Sequence, residues 1–266
     1  MSTSTDEENP AALALPAEDV QGDGRWMSQV RQDRGEAKSR RFFCISLANG
    51  PFLFCLFFFL FALQHNRFVL ECKDKEPEVL FVGDSMVQLL HQYEIWRELF
   101  SPLHALNFGI GGDTTCHVLW RLTHGELENI KPKVVVLWIG TNNYEHTAEQ
   151  IAGGIQAIIH LVNKLQPQAK VVVLGLLPRG EGPNPLREKN ARVNASLRTA
   201  LPRLGTAQFL DVGSSFVHSD GTISHHDMFD FLHLTPSGYA AVIKPLHELL
   251  LQLLEETPEE KTATLA

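Results

Sequence analysis

The chain has 266 residues, 44% hydrophobic and 20% charged, enough to bury one sizeable core and too apolar for a disordered chain. Twenty-three Lys and Arg against 31 Asp and Glu give a formal charge of -8, and no basic run accompanies aromatic residues, which excludes a nucleic-acid footprint. Four cysteines, Cys44, Cys55, Cys72 and Cys116, lack Cys-x-x-Cys spacing, which excludes a disulfide scaffold and fits a reducing compartment.

Residues 1 to 29 form an acidic, Pro/Ala-rich tail without the basic start and early apolar core of a secretory signal. From Val30 the composition turns basic, ending Lys38-Ser39-Arg40-Arg41, and Phe42 to Leu63 then runs without a charge and holds half of the 16 phenylalanines. A helix needs roughly 20 apolar residues to cross a bilayer, so 42 to 63 is a candidate transmembrane helix, although Asn49-Gly50-Pro51 breaks its regularity. As a span it would keep the N-terminus cytoplasmic and place everything after residue 64 on the far side, against the cysteine reading.

Beyond residue 64, Glu78 to Gly83, Val134 to Gly140, Lys170 to Gly175 and Gln208 to Asp211 are short apolar runs, as expected of strands covered on both faces. Amphipathic segments lie between and after them: Met86 to Phe100, Thr114 to His124, Ala148 to Gln166, Pro185 to Leu201 and Pro236 to Glu256. This alternation predicts an α/β fold, a three-layer α/β/α sandwich around a parallel sheet, with the ligand crevice beyond the carboxyl ends of the strands.

The residues following each apolar run are therefore the candidates for chemistry. Ser85 in Gly83-Asp-Ser85 opens a helix, where a hydroxyl faces the crevice and the helix N-terminus favours negative charge; the plainer reading is that Asp84 or Ser85 only caps the helix. Asp230-Phe-Leu-His233 precedes the last helix, so Asp230 can orient His233 and His233 can take the Ser85 proton, against the alternative of a surface turn. Asn142 and the glycine turn 108 to 113, with Gly112 foremost, offer N–H donors to an oxyanion; a cap and an ordinary turn are their alternatives. The glycine turn lacks the spacing of a dinucleotide or phosphate loop, and no Gly-x-Ser-x-Gly elbow is present. His218, Asp220, His225, His226, Asp227, Asp230 and His233 raise a metal alternative, weakened by the absence of a His-x-x-x-His pair.

Taken together, Gly83-Asp-Ser85, Gly112, Asn142 and Asp230-x-x-His233 resemble the four blocks of the SGNH (GDSL-type) esterases, whose fold is flavodoxin-like. The segments 81 to 86, 93 to 113, 176 to 180 and 216 to 221 are similar to the catalytic subunits of intracellular type-I platelet-activating factor acetylhydrolases. The resemblance implies Ser85 as nucleophile, His233 as base and then acid, and Asp230 as its orienter. It implies an oxyanion hole of Ser85, Gly112 and Asn142, and an acyl pocket walled by Met86, Thr141 and Leu232 that suits short acyl groups. Met86 departs from the leucine usual after the serine in the superfamily and agrees with one subunit form. Hydrolysis of the sn-2 acetyl group of platelet-activating factor, without metal or cofactor, is the implied reaction. The implied partners are a second catalytic subunit, as homodimer or heterodimer with the alpha1 form, and the WD-repeat lissencephaly-associated subunit; an idle subunit acting mainly as that protein's binding partner is the competing reading. In that family Gln29 runs directly into His65, so 30 to 64 reads as an insertion ahead of a hydrolase domain at 65 to 256, with 257 to 266 a tail. The implied location is cytoplasmic, with anchoring through 42 to 63 as the alternative.

Overall fold

The computed structural model describes residues 9–12 and 50–255, with side chains from 61 onward in the second span. Strands β1 (Val79–Gly83), β2 (Ala105–Gly109), β3 (Val134–Trp138), β4 (Lys170–Leu174) and β5 (Ala207–Leu210) form one parallel sheet in the order β2-β1-β3-β4-β5. Among the described residues seven α-helices accompany it: α1 (Gly50–Asp74), α2 (Ser85–Leu90), α3 (Glu94–Leu99), α4 (Thr115–Arg121), α5 (Ala148–Leu165), α6 (Pro185–Ala200) and α7 (Pro236–Glu255). The sandwich expected from the alternation of elements is the one observed.

Successive side chains of a strand point to opposite faces, so β1 feeds two cores. Leu80 and Val82 pack with α1, α4, α5 and α6 on one face. Val79 and Phe81 pack with α2, α3 and α7 on the other. The first apolar run ends at Gly83 as the sequence indicates, the other three end a residue or two earlier, and a fifth strand, β2, lies at a sheet edge. The single amphipathic segment expected over 86 to 100 is two short helices, separated where Gln92 N–H bonds Leu89 O (3.0 Å) and Tyr93 N–H bonds Leu90 O (3.2 Å). Local chemistry fixes the others: Thr147 and Gln150 cap α5 reciprocally, and Asn184 accepts from Arg187 N–H ahead of Pro185, which tolerates the first helical position.

The candidate transmembrane helix is not supported. Of its residues, 42 to 49 lie outside the described ones; the rest belong to α1, which continues through His65, Arg67 and Glu71 to Asp74. Among the described residues no helix is long and apolar enough to cross a membrane. The physical reason lies in α1 itself, whose second half is charged and whose Phe61, Phe68 and Cys72 are buried against the sheet and α4. Phe68 stacks on Phe108 (centroids 4.4 Å apart), His65 Nδ1 lies 2.8 Å from Glu126, and Cys72 donates its S–H to Glu126 O (3.2 Å). Burial pushes the Cys72 thiol up to about 12, so it is a packing group and not a nucleophile.

The short stretch 9–12 is also docked. Thr115 Oγ1 donates to Ala11 O (2.6 Å) and Asn9 Nδ2 to Gln150 O (2.9 Å), with Ala11 fully buried between α4 and α5.

Candidate active site

The order β2-β1-β3 means the chain leaves β1 in opposite directions at the point where Ser85 stands, which is the switch point where open α/β sheets bind ligands. Gly83, Gly109 and Trp138 are level in the ladder, so the turns after three neighbouring strands meet there. Gly109 must be glycine, since a Cβ would lie 2.3 Å from the Gln88 nitrogen of α2. Gly112 holds φ 87°, a left-handed turn that suits glycine.

Asp84 caps α2, accepting from Met86 N–H (2.9 Å), and Ser85 is the first helical residue. The capping alternative thus describes Asp84, while Ser85 Oγ lies 3.0 Å from His233 Nε2. His233 Nδ1 lies 2.7 Å from Asp230 Oδ2. An ionised carboxylate only accepts, so Nδ1 carries the ring proton and Nε2 is left to accept from the serine hydroxyl. Burial by itself raises the Asp230 carboxyl, but the hydrogen bond and charge of His233 and the N–H groups of His233 and Leu232 bring it below the usual value. A hydroxyl, an imidazole and a carboxylate so aligned can activate an oxygen nucleophile.

The loop carrying Asp230 is tightly made. Phe231 sits at φ 59°, its carbonyl accepts from Gly180 N–H (2.8 Å), and Met228 and Leu234 pair across the loop. A bulky residue in this region costs on the order of 1–2 kcal/mol, held here by the surrounding contacts. Tyr239 from α7, fully buried, donates to Met86 O (2.7 Å) and ties this loop's helix to the turn behind Ser85.

The remaining candidates converge on the same rim. A Cβ on Gly111 would lie 3.7 Å from Ser85 Cβ, placing the glycine turn beside the serine. Asn142 donates through Nδ2 to Asp113 O (3.0 Å), which joins the turn after β3 to the turn after β2. Met86, Thr141 and Leu232 line one small cavity with Asp84, Trp138, Leu176 and Leu177; its 10 Å³ is about the space of a water-sized sphere. A larger cleft of about 710 Å³ runs along the β2 edge beside α1 and contains neither Ser85 nor His233.

Two buried arginines escaped the sequence reading. Arg179 donates to Thr141 O (2.9 Å) and Oγ1 (3.1 Å) and to Tyr144 Oη (3.1 Å), holding one wall of the small cavity. Arg121, fully buried, lies under the glycine turn. A charged residue directly after an apolar run, in Leu176-Leu-Pro-Arg179, was the available signal for the first; nothing in local sequence marks the second. Among the described residues no group of three or more His, Cys, Asp or Glu is placed to hold a metal ion. His225 Nδ1 instead meets Phe229 O (3.2 Å), and Asp220 accepts from the Thr222 hydroxyl (2.7 Å).

A fold of this order, with a serine at its switch point and the Asp-x-x-His pair before the last helix, defines a class of acyl hydrolases. Residues 81–241 match the GDSL-like Lipase/Acylhydrolase family, and the chain belongs to it. It is 64% identical over 258 residues, 97% of each chain, to the human protein named platelet-activating factor acetylhydrolase IB subunit alpha2. Identity to the Rattus norvegicus alpha1 subunit is 60% over 249 residues, 94% of this chain and 92% of that one. Among solved structures, a GDSL-like lipase from Bacteroides thetaiotaomicron superposes with a TM-score of 0.59 at 20% identity, covering 69% of this chain and 97% of its own.

Proposed function

We propose that the protein is a serine esterase that removes the sn-2 acetyl group of platelet-activating factor and related acetyl phospholipids. One observation carries the reading: Ser85 Oγ within 3.0 Å of His233 Nε2, with Asp230 2.7 Å from the other ring nitrogen. Family membership supports the reaction type, and the close relatives named for platelet-activating factor support the substrate class. Ser85 Oγ attacks the acetyl carbonyl carbon as its proton passes to His233 Nε2, and Asp230 stabilises the imidazolium. The negative oxygen of the tetrahedral intermediate takes N–H donors from Ser85, Gly112 and Asn142. On collapse the glycerol oxygen leaves with the His233 proton; water, deprotonated by His233, then releases acetate from acetyl-Ser85. The cavity of Met86, Thr141 and Leu232 receives the acetyl methyl, and its size disfavours longer chains.

The same relationship supports cytoplasmic work without metal or cofactor, in a homodimer or a heterodimer with the alpha1 catalytic subunit, associated with the WD-repeat regulatory subunit. Residues 65 to 256 are taken as the hydrolase unit, and 30 to 64 as an insertion whose residues from Gly50 onward form the first part of α1. The test is hydrolysis of a 2-acetyl ether phospholipid by wild type and Ser85→Ala, with fluorophosphonate labelling in parallel. Loss of both activity and label in the variant is expected. An inactive, unlabelled wild type would overturn the reading in favour of a subunit that only binds the WD-repeat protein.

A further inference from the structure

We propose that Arg121 is the positioning residue of the oxyanion hole, a single buried guanidinium that sets the three donor groups relative to one another. The proposal rests on the esterase reading above. Arg121 Nη2 donates to Gly83 O (3.4 Å), the last carbonyl of β1, and to Phe108 O (3.0 Å), the next-to-last of β2. Its Nε donates to Asp113 Oδ2 (2.8 Å), and its Nη1 to Glu126. Gly83 is two residues before Ser85, and Asp113 directly follows Gly112. The carbonyl of Asp113 is also the acceptor that orients the Asn142 amide (3.0 Å). Ser85 N–H, Gly112 N–H and Asn142 Nδ2 thus each stand one or two links from the same planar group.

The chemistry explains why arginine occupies the position. A fully buried cation is costly unless it is paired and its donors are satisfied, and Arg121 meets two carboxylates and two main-chain carbonyls. Its rigid fork addresses four acceptors in fixed directions, which the single ammonium of lysine cannot reproduce. Burial pushes the Asp113 carboxyl up to about 7, and the charge and hydrogen bond of Arg121 oppose that rise. Glu126 faces the other way: its second oxygen lies 2.8 Å from His65 and its carbonyl takes the Cys72 S–H, both in α1. One side of Arg121 therefore serves the donors and the other side serves packing.

That division supplies the test. Arg121→Lys, Asp113→Asn and Glu126→Gln are compared with wild type for kcat and KM on the 2-acetyl ester, for thermal unfolding, and for affinity toward a trifluoromethyl ketone that adds to Ser85 as an anionic hemiketal. Arg121→Lys is expected to lower kcat about 30- to 100-fold and Asp113→Asn about 10-fold, with KM within threefold and ketone affinity falling in step with kcat. Glu126→Gln is expected to lower the melting temperature while kcat stays within twofold. If Arg121→Lys does not fold, the Asp113 and Glu126 pair carries the comparison. An active wild type with Arg121→Lys or Asp113→Asn at full kcat, or with Glu126→Gln as slow as Asp113→Asn, would overturn this proposal alone. An inactive wild type would overturn the esterase reading and this proposal with it.

Discussion

Asp230 holds His233 at two points: Oδ1 accepts its backbone N–H (2.7 Å) and Oδ2 lies against its Nδ1 (2.7 Å). One carboxylate thereby fixes both where the residue starts and how its ring is turned. Replacing Asp230 with Asn keeps the size but lets the amide donate to Nδ1, which favours the tautomer whose Nε2 cannot accept from Ser85. We expect kcat to fall by about 10³–10⁴ with KM little changed, and fluorophosphonate labelling of Ser85 to slow in parallel. Steady-state kinetics on the 2-acetyl ester check this, and a loss smaller than tenfold would refute it.

Leu232 and Met86 bound a cavity with room for little more than a methyl group. Shortening Leu232 to Ala lengthens the space available to the acyl chain. The butyryl-to-acetyl ratio of kcat/KM is expected to rise by about tenfold, within the range of 1–3 kcal/mol for one pocket methylene. Competition between paired substrates measures the ratio directly, and an unchanged ratio would remove Leu232 from the pocket wall.

Asp84 is fully buried at the site, and burial pushes its carboxyl up to about 6 despite the Met86 N–H, His233 and Arg179 that oppose it. An unfolded Asp titrates near 3.8, so between about pH 4 and 6 the folded chain binds this proton more tightly and stability falls as pH rises. Asp84→Asn retains a good cap and removes the buried charge. The variant is expected to gain about 2 kcal/mol over wild type at pH 7, shrinking toward zero near pH 4. Urea unfolding across that range reads the difference, and a constant offset would contradict it.

Phe68 faces the core from α1 and stacks on Phe108 of β2. Truncation to Ala should lower unfolding free energy by about 3–5 kcal/mol. Denaturant midpoints measure this. A change below about 1 kcal/mol would mean that α1 is not part of the cooperative unit.

The strands were legible because a parallel sheet covered on both faces demands unbroken apolar runs, and Val134 to Trp138 and Lys170 to Leu174 comply. The edge strand was not, since Asn107 interrupts its pattern and uses its side chain on Val87 O (2.7 Å) and Gly109 N–H (3.1 Å). The break at 91 to 93 was hidden because apolar residues keep helical spacing across it and neither Gly nor Pro marks it. The place of Ser85 in the fold was legible because it opens a helix straight after a strand, and that of Asp230 and His233 because they shortly precede the last helix. Arg121 was not, because its acceptors come from two strand ends and two carboxylates that only the fold assembles. Whether the apolar run ending at Leu63 is a membrane span was not legible, because apolar content does not tell whether phenylalanines face lipid or, as Phe61 does, a protein core.

The docking of Ala11 against α4 and α5 means that the chain is fastened to the same body both before and after residues 13 to 49. For any chain joining two fixed points, the entropic cost rises by only about 0.6 kcal/mol for each doubling of the connecting length. Chain length between two such attachments is therefore a weak lever on the sheet and on the alignment of Ser85 with His233 that the sheet carries.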